Sequence, residues 1–372
     1  MNVLAFSVVG LLFVFVSVRC HGLEYGINNG APISASTGAI SPANDGQILM
    51  DTGTEWVRVN FILGPWSSPG DATPRGPQNL SWFETYDQII DGMLAKGLKV
   101  YGLIGAEAVP NSRRDRLNTE EYAQEYAAVF QQIVDHFKGR IKVYESFNEP
   151  NDWAGGTVSQ VEPRWFARYL ELIYRAVKMD GERKNDPVLQ EIVLVSGPLF
   201  THLNDLGREY FSATWKAGTT QWGWDEVKSQ TGSYPLDGVG IHIYVAQGEE
   251  SDEELVALMK RNLDAMYQSL TELEGADVSK RFYLSEFGWT TKHVSEQMQA
   301  HKMDVAFRLL ELDSRMAQAH WFTLQDFPDG EYGIYRAGAL TPENRKPSYE
   351  MFRSHATGLN RARPPMNAIL CR

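Results

Sequence analysis

The clearest regularity in the chain is an alternation between short runs of β-branched and aromatic residues and longer segments with a helical period. Eight of the short runs have the length and composition of strands. A helical segment between successive runs favours parallel strands joined by crossover helices. The predicted strands cover residues 23–28, 56–62, 99–104, 141–147, 191–196, 238–245, 281–287 and 319–327.

The helical segments carry the residues that usually start and stop helices. Each begins near a serine, threonine, aspartate or proline, and glycine follows several of them. The clearest segments cover residues 81–96, 119–137, 163–179, 252–273 and 295–316. Repeated eight times, this pattern predicts an α/β fold: a single-domain (β/α)8 TIM barrel. A doubly wound sheet is the alternative, but no glycine-rich phosphate loop follows the first predicted strand.

The start of the chain is typical of a secretory signal peptide. Residues 1–18 form a largely apolar run, and short residues follow as far as Gly22. We therefore predict a signal peptide over residues 1–22 and a secreted catalytic domain over residues 23–372. The run is marginal in length for a membrane span and no second one follows, so stable membrane association is not expected. Asn79-Leu80-Ser81 is a glycosylation acceptor, consistent with a secreted glycoprotein.

Charge and composition exclude several classes of function. The formal net charge is −12, which argues against a nucleic-acid partner because such partners need a basic face. An acidic surface is compatible with a neutral polysaccharide. The eight histidines show no metal-ligand spacing, so neither a metal nor another cofactor is predicted. Two cysteines, Cys20 and Cys371, cannot provide a disulfide framework, and the chain is expected to be a monomer.

Two glutamates stand where predicted strands end. Glu149 closes the fourth strand within Asn148-Glu149-Pro150, and Glu286 lies at the end of the seventh within Ser285-Glu286-Phe287. In a barrel of parallel strands these ends meet at one rim, where the active sites of such folds lie. Glycosidic hydrolysis needs two carboxyl groups flanking one bond. The pattern therefore predicts a catalytic pair, and by itself leaves the two roles exchangeable.

These two motifs resemble those of glycoside hydrolase clan A, the retaining barrel enzymes, and families 5 and 39 are closest in pattern. The resemblance implies that Glu149 is the acid/base and that Glu286 is the nucleophile. It also implies that Asn148 holds the 2-hydroxyl of the sugar. Arg58 in the second strand resembles the clan's arginine beneath the nucleophile.

The sixth and eighth strands extend the resemblance. His242 and Tyr244 share one face of the sixth strand, and Tyr244 is expected to donate a hydrogen bond to Glu286. Trp321 resembles the clan's tryptophan that forms the floor of the sugar-binding site. A further glutamate, Glu145, has the alternation phase of Glu149 and is expected to pair inside the barrel with Arg58 or Lys142.

Tryptophans in the segments after strands are the remaining candidates for binding sugar. An indole ring can stack on a sugar and still offer a polar edge. Trp66 and Trp153 are therefore predicted to bind substrate, and Trp222 and Trp224 to extend the cleft. Together these features predict a glycosidase of carbohydrate metabolism that degrades a β-linked polysaccharide or oligosaccharide, expected to act as an endo-β-glycanase. A transglycosylase with the same site and a non-catalytic carbohydrate-binding barrel remain open.

Overall fold

A closed barrel of eight parallel strands forms the centre of the protein. The computed structural model describes residues 22–151, 161–201, 207–328 and 330–359. Each strand pairs with the next, β1 pairs with β8, and the bridge between Val195 and Gly238 joins β5 to β6. The predicted barrel is confirmed. Its strands are β1 Glu24–Asn28, β2 Trp56–Phe61, β3 Lys99–Ile104, β4 Val143–Ser146, β5 Val193–Val195, β6 Gly238–Ile243, β7 Arg281–Phe287 and β8 Met316–Phe322.

Helices lie between the strands and bury the outer face of the barrel. A two-residue strand, Leu199–Phe200, also pairs with β6, and a π-helical turn, Arg175–Met179, continues α4. In the described residues, no helix is both long and apolar enough to cross a membrane. The α-helices are α1 Gly46–Asp51, α2 Trp82–Leu94, α3 Glu120–His136, α4 Pro163–Tyr174, α5 Pro187–Gln190, α6 Arg208–Gln221, α7 Trp224–Thr231, α8 Asp252–Glu274, α9 Glu296–Leu312 and α10 Pro347–Ala356.

Capping residues determine where the predicted helices begin. Ser81 accepts a hydrogen bond from the N–H of Glu84, whose carboxylate accepts from the N–H of Ser81 at 2.8 Å. The same reciprocal pair, Ser251 with Glu254, starts α8. Each pair satisfies two backbone N–H groups that the first turn leaves without partners. These starts therefore follow from local sequence, as predicted.

The boundary between α9 and β8 differs from the prediction. The helix predicted over residues 295–316 ends at Leu312, and β8 already begins at Met316. Asp313 breaks the helix, because its carboxylate accepts from the backbone N–H of Arg315 at 3.0 Å and from that side chain at 2.8 Å. Such local hydrogen bonds compete with helical ones. The eighth strand therefore runs from 316 to 322 and not from 319 to 327.

A buried ion pair fills the barrel interior below the rim. The guanidinium of Arg58 donates to Glu145 at 2.7 Å, and both side chains are at most 3% exposed. Tyr101 also donates to Glu145 at 2.9 Å. The predicted pairing of Glu145 with Arg58 is confirmed, whereas Lys142 pairs with Glu191 on the exterior. Pairing of this kind is required because an isolated buried charge is very costly.

Candidate active site

The barrel brings Glu149 and Glu286 together at one rim. Glu149 follows β4, and Glu286 is the penultimate residue of β7. One oxygen of each carboxyl group and a ring nitrogen of His242 all lie within 4.8 Å of one another. Carboxyl groups about 5–5.5 Å apart suit a retaining glycosidase, whereas an inverting one needs about 6.5–9.5 Å for a water molecule. The close approach of the two oxygens fits direct attack by one carboxylate.

Three donors hold the carboxylate of Glu286. Arg58 donates to Oε1 at 2.6 Å, Asn28 donates to the same oxygen at 2.7 Å, and Tyr244 donates to Oε2 at 2.8 Å. Burial opposes ionisation, but the neighbouring His242, the charge of Arg58 and the hydrogen bonds from Tyr244 and Arg58 outweigh it and lower the pKa of Glu286. Glu286 is therefore an oriented, ionised carboxylate, the state that a nucleophile requires.

Asn28 is a site residue that the sequence reasoning missed. It is the last residue of β1, 3% exposed, and its amide oxygen also accepts from the N–H of Gly30 at 2.9 Å. Its position at a strand end is the signal that could have identified it, because all strand ends of the barrel meet at this rim.

Glu149 lies in a strained segment of backbone. Its φ is 43°, and that of Phe147 is 70°, both in the left-handed region that non-glycine residues rarely adopt. Asn151 secures the segment, because its amide donates to the carbonyl of Phe200 at 3.0 Å and accepts from the same residue's N–H at 2.9 Å. The turn directs the Glu149 carboxyl to His242, whose Nδ1 lies 2.7 Å from Oε1.

Asn148 is oriented by the same arginine that holds Glu286. Its amide oxygen accepts from Nη2 of Arg58 at 2.9 Å. The amide nitrogen is then the group left to meet another acceptor. This orientation suits the predicted hydrogen bond to a sugar hydroxyl, which stays a prediction.

The predicted role of Trp321 is wrong, because its ring faces the helices and not the barrel mouth. Trp321 is fully buried, its indole donates to the carbonyl of Tyr332 at 3.1 Å, and its ring lies 5.5 Å from that of Phe287 and 6.0 Å from that of Trp289. Adjacent strand residues point to opposite faces. The inward residue at this level of β8 is therefore the neighbour, Phe322.

An aromatic wall, defined here as Phe322, Phe327 and Tyr332, stands beside Glu286. The ring of Phe322 lies 5.8 Å from that of Phe327 and 5.5 Å from that of Tyr332, which is 5.9 Å from Tyr244. Phe327 is 39% exposed. Burial and the charge of Glu286 raise the pKa of Tyr332. Aromatic surface of this kind can pack against a sugar ring.

Two of the predicted sugar-stacking tryptophans belong to the core. Trp66 is 3% exposed and its indole donates to the carbonyl of Thr73 at 3.0 Å. Trp224 is fully buried at the start of α7 and donates to the carbonyl of Ala167 at 3.2 Å. Neither offers a free ring face, so the stacking roles predicted for them are wrong. Trp222 is partly exposed and packs on Trp165. Trp153 lies outside the described residues.

Among the described residues, the group with metal-ligand spacing is Glu149, His242 and Glu286. Every carboxylate oxygen of Glu286 already accepts from a protein donor, and one of these donors is the permanently charged Arg58. Nδ1 of His242 is likewise engaged with Glu149. This arrangement favours acid–base and nucleophilic chemistry by the carboxyl groups over metal binding.

Comparisons with known proteins agree with this fold. Similar solved structures include a family 39 glycoside hydrolase from Bacteroides cellulosilyticus WH2, with 18% identity and a TM-score of 0.56. The match covers 91% of this chain and 64% of that one. Thermotoga maritima Cel5A in complex with mannotriose is 17% identical, with TM-score 0.56 and coverage of 90% of this chain and 98% of that one. A GH128 endo-beta-1,3-glucanase from Sorangium cellulosum is 14% identical, with TM-score 0.54 and coverage of 89% and 98%.

At these identities the structural likeness shows the fold alone, and a search of curated protein sequences found no match. The family assignment comes from a sequence model. The model described as cellulase (glycosyl hydrolase family 5) matches residues 29–324, from the end of β1 to the segment after β8. This chain therefore belongs to glycosyl hydrolase family 5 and is a retaining glycoside hydrolase of clan A.

Proposed function

We propose that the protein cleaves β-glycosidic bonds of a neutral polysaccharide or oligosaccharide by double displacement, with Glu286 as nucleophile and Glu149 as acid/base. The observation that carries this proposal is the pair of carboxyl oxygens within 4.8 Å at one rim. Their different partners support the division of roles. Arg58 and Tyr244 keep Glu286 ionised, whereas His242 is the partner of Glu149.

Each step of the proposed reaction uses these contacts. Glu286 attacks the anomeric carbon while the bond from that carbon to the leaving oxygen breaks and Glu149 gives its proton to that oxygen. Once Glu286 is esterified, its charge no longer opposes ionisation of Glu149. Glu149 then takes a proton from water as the water attacks the same carbon, and Glu286 leaves as a carboxylate. Arg58 and Tyr244 then donate again to the Glu286 carboxylate, as they did before the reaction.

We further propose that the substrate is a chain of sugars cut internally. The aromatic wall supports this proposal, because the exposed ring of Phe327 extends apolar surface outward from Glu286. The net charge of −12 favours a neutral chain. Similar folds act on such chains, since one solved relative is an endo-beta-1,3-glucanase and another was solved with mannotriose.

A panel of β-glucan, mannan, xylan and aryl glycosides tests this proposal. We expect at least one polysaccharide to release oligosaccharides of mixed length early in the reaction. Release of monosaccharide alone from chain ends would contradict internal cleavage. Added sugar acceptors distinguish a transglycosylase, which would form longer products in their presence. Binding without any turnover would instead support the non-catalytic alternative.

We also propose that the protein is secreted, because residues 1–22 have the composition of a signal peptide. The glycosylation acceptor Asn79 is exposed, as a glycan attachment site requires. Mass spectrometry of protein recovered from the medium tests this. A mature chain should begin close to Gly22 or Leu23, whereas an intact Met1 on a membrane-bound species would contradict it.

Replacing Tyr244 by phenylalanine should move the acid limb of the kcat/KM profile to higher pH. The phenol hydrogen bond is one cause of the lowered pKa of Glu286, so its loss raises that pKa. Because Glu286 must be ionised to attack, activity is lost as the pH falls through its pKa, and the loss then begins at higher pH. A shift of about one pH unit is expected for one hydrogen bond to a charged group.

Hydrolysis of an aryl glycoside across the acid range measures this shift. Tyr332→Phe is the matched control, because it also removes a phenol oxygen near Glu286. Within the described part of the chain, the Tyr332 hydroxyl makes no hydrogen bond to Glu286, unlike that of Tyr244. The control should keep the acid limb in place. An unchanged limb in Tyr244→Phe would show that this contact does not stabilise the carboxylate.

A further inference from the structure

A hydrogen-bonded chain runs from Glu149 into the barrel interior. Nδ1 of His242 lies 2.7 Å from Oε1 of Glu149, and Nε2 of the same ring lies 3.1 Å from the hydroxyl of Ser285. That hydroxyl lies 2.6 Å from Oε1 of Glu145. His242, Ser285 and Glu145 are fully buried, so water does not complete these contacts. The chain links β4, β6 and β7 behind the catalytic pair.

The buried ion pair sets the direction of the protons along this chain. Glu145 accepts hydrogen bonds from the guanidinium of Arg58 and the hydroxyl of Tyr101. It is therefore a carboxylate that only accepts hydrogen bonds. Ser285 has a single hydroxyl hydrogen, and its short contact to Glu145 uses that hydrogen. The oxygen of Ser285 can then only accept from His242. Nε2 of His242 therefore carries a hydrogen.

This assignment determines what His242 offers to Glu149. With its hydrogen on Nε2, the neutral ring presents a lone pair at Nδ1. An ionised Glu149 would place a second lone pair against it at 2.7 Å, which is repulsive. The contact is favourable only when one proton lies between the two atoms. The Glu149–His242 pair is thus built to hold one proton.

The other charged groups around the ring act in the same direction or are engaged elsewhere. Oε2 of Glu286 lies 3.8 Å from Nδ1, and its negative charge favours retention of the proton. Arg58 is directed at Glu145 and Glu286. Tyr244, on the same strand, donates to Glu286 and meets the imidazole edge-on with ring centroids 6.4 Å apart.

We propose that Ser285 is a positioning residue that holds His242 in its Nε2–H form and thereby keeps the acid's proton on the Glu149–His242 pair. This rests on the proposed role of Glu149. In the first step the proton leaves the pair for the leaving oxygen as the glycosidic bond breaks, and the attacking water later returns it. Ser285 acts only through His242, from inside the barrel.

Ser285→Ala tests the proposal through the pH profile. Without the hydroxyl, His242 can carry its hydrogen on Nδ1 and donate to an ionised Glu149, which stabilises the form that cannot act as an acid. The alkaline limb of kcat/KM should move to lower pH by about one unit, with little change at pH values below the limb. Ser285→Thr keeps a hydroxyl and should restore the position of the limb.

Ser146→Ala is the matched control. Ser146 is also a buried serine at a strand end, but its hydroxyl bonds only to the carbonyl of Val195 at 3.3 Å among the described residues. Its alkaline limb should remain at the wild-type pH. An unmoved limb in Ser285→Ala, or an equal shift in Ser146→Ala, would overturn the proposal.

A second measurement needs no variant at position 285. Nitrogen NMR of the whole protein labelled in histidine should show neutral His242 with its hydrogen on Nε2, the signal being assigned by its loss in His242→Gln. Hydrogen on Nδ1 would overturn the proposal even if Ser285→Ala fails to fold. If instead Glu149→Ala leaves turnover intact, the proposed function itself fails. If activity depends on both glutamates but His242 carries its hydrogen on Nδ1, only the role of Ser285 is refuted.

Discussion

Replacing Glu286 by alanine is expected to abolish turnover of every substrate, with kcat falling by roughly 10⁶-fold, the scale seen when an enzyme loses its nucleophile. Arg58, Asn28 and Tyr244 all converge on this carboxylate, and none of them can attack an anomeric carbon in its place. Turnover of an aryl glycoside and of the best polysaccharide measures the loss. Glu107→Ala, which removes an exposed glutamate after β3, should leave turnover unchanged.

Azide then identifies the role of the missing group. A small anion can occupy the space that the Glu286 side chain leaves and attack the same carbon. Because it approaches from the nucleophile's side in a single displacement, the glycosyl azide should have inverted configuration. The configuration, read by NMR, is the decisive observable, and an azide product of retained configuration would contradict the assignment.

Replacing Glu149 by alanine should give a loss that depends on the leaving group. General acid catalysis contributes about 10²- to 10⁴-fold, so sugar leaving groups, which need a proton, should show the full loss. Aryl groups that leave as stable phenolates need little protonation, and Glu286 can still form the glycosyl-enzyme. Water then lacks its base, so the intermediate should accumulate after a burst of phenol release. Mass spectrometry of the intact protein detects that covalent species.

Azide should relieve this block with retained configuration, because it attacks an intermediate that Glu286 has already formed. The two variants therefore check each other. An inverted azide product from Glu149→Ala together with a retained one from Glu286→Ala would exchange the two roles. Undiminished turnover in both variants would place the catalytic site elsewhere.

The sequence alone was sufficient for the architecture and for the convergence of Glu149 and Glu286 at one rim. Strand and helix periods are local properties, and capping pairs such as Ser81 with Glu84 mark boundaries within one turn of chain. Once eight strands are parallel, barrel closure brings all their carboxyl ends to one rim. Glu149 and Glu286 therefore had to converge, although 137 positions separate them in the chain (286 − 149). Strand alternation likewise predicted that Glu145 points into the barrel, whereas Glu149 lies beyond the end of β4, where the backbone leaves the strand conformation.

Only the tertiary structure decided which aromatic residues face the site and which hydrogen-bond partners its side chains have. Trp321 and Phe322 are adjacent apolar residues, and packing of the larger ring against Phe287 and Trp289 turned Trp321 outward. Trp66 and Trp224 are buried for the same reason: a large ring is stabilised wherever neighbouring elements can cover it, which local sequence does not reveal. The chain from Glu149 through His242 and Ser285 to Glu145 depends on hydrogen bonds between three strands. Such contacts exist only after the barrel has closed, because their partners are far apart in the sequence. The direction of each hydrogen bond then depends on every partner around it.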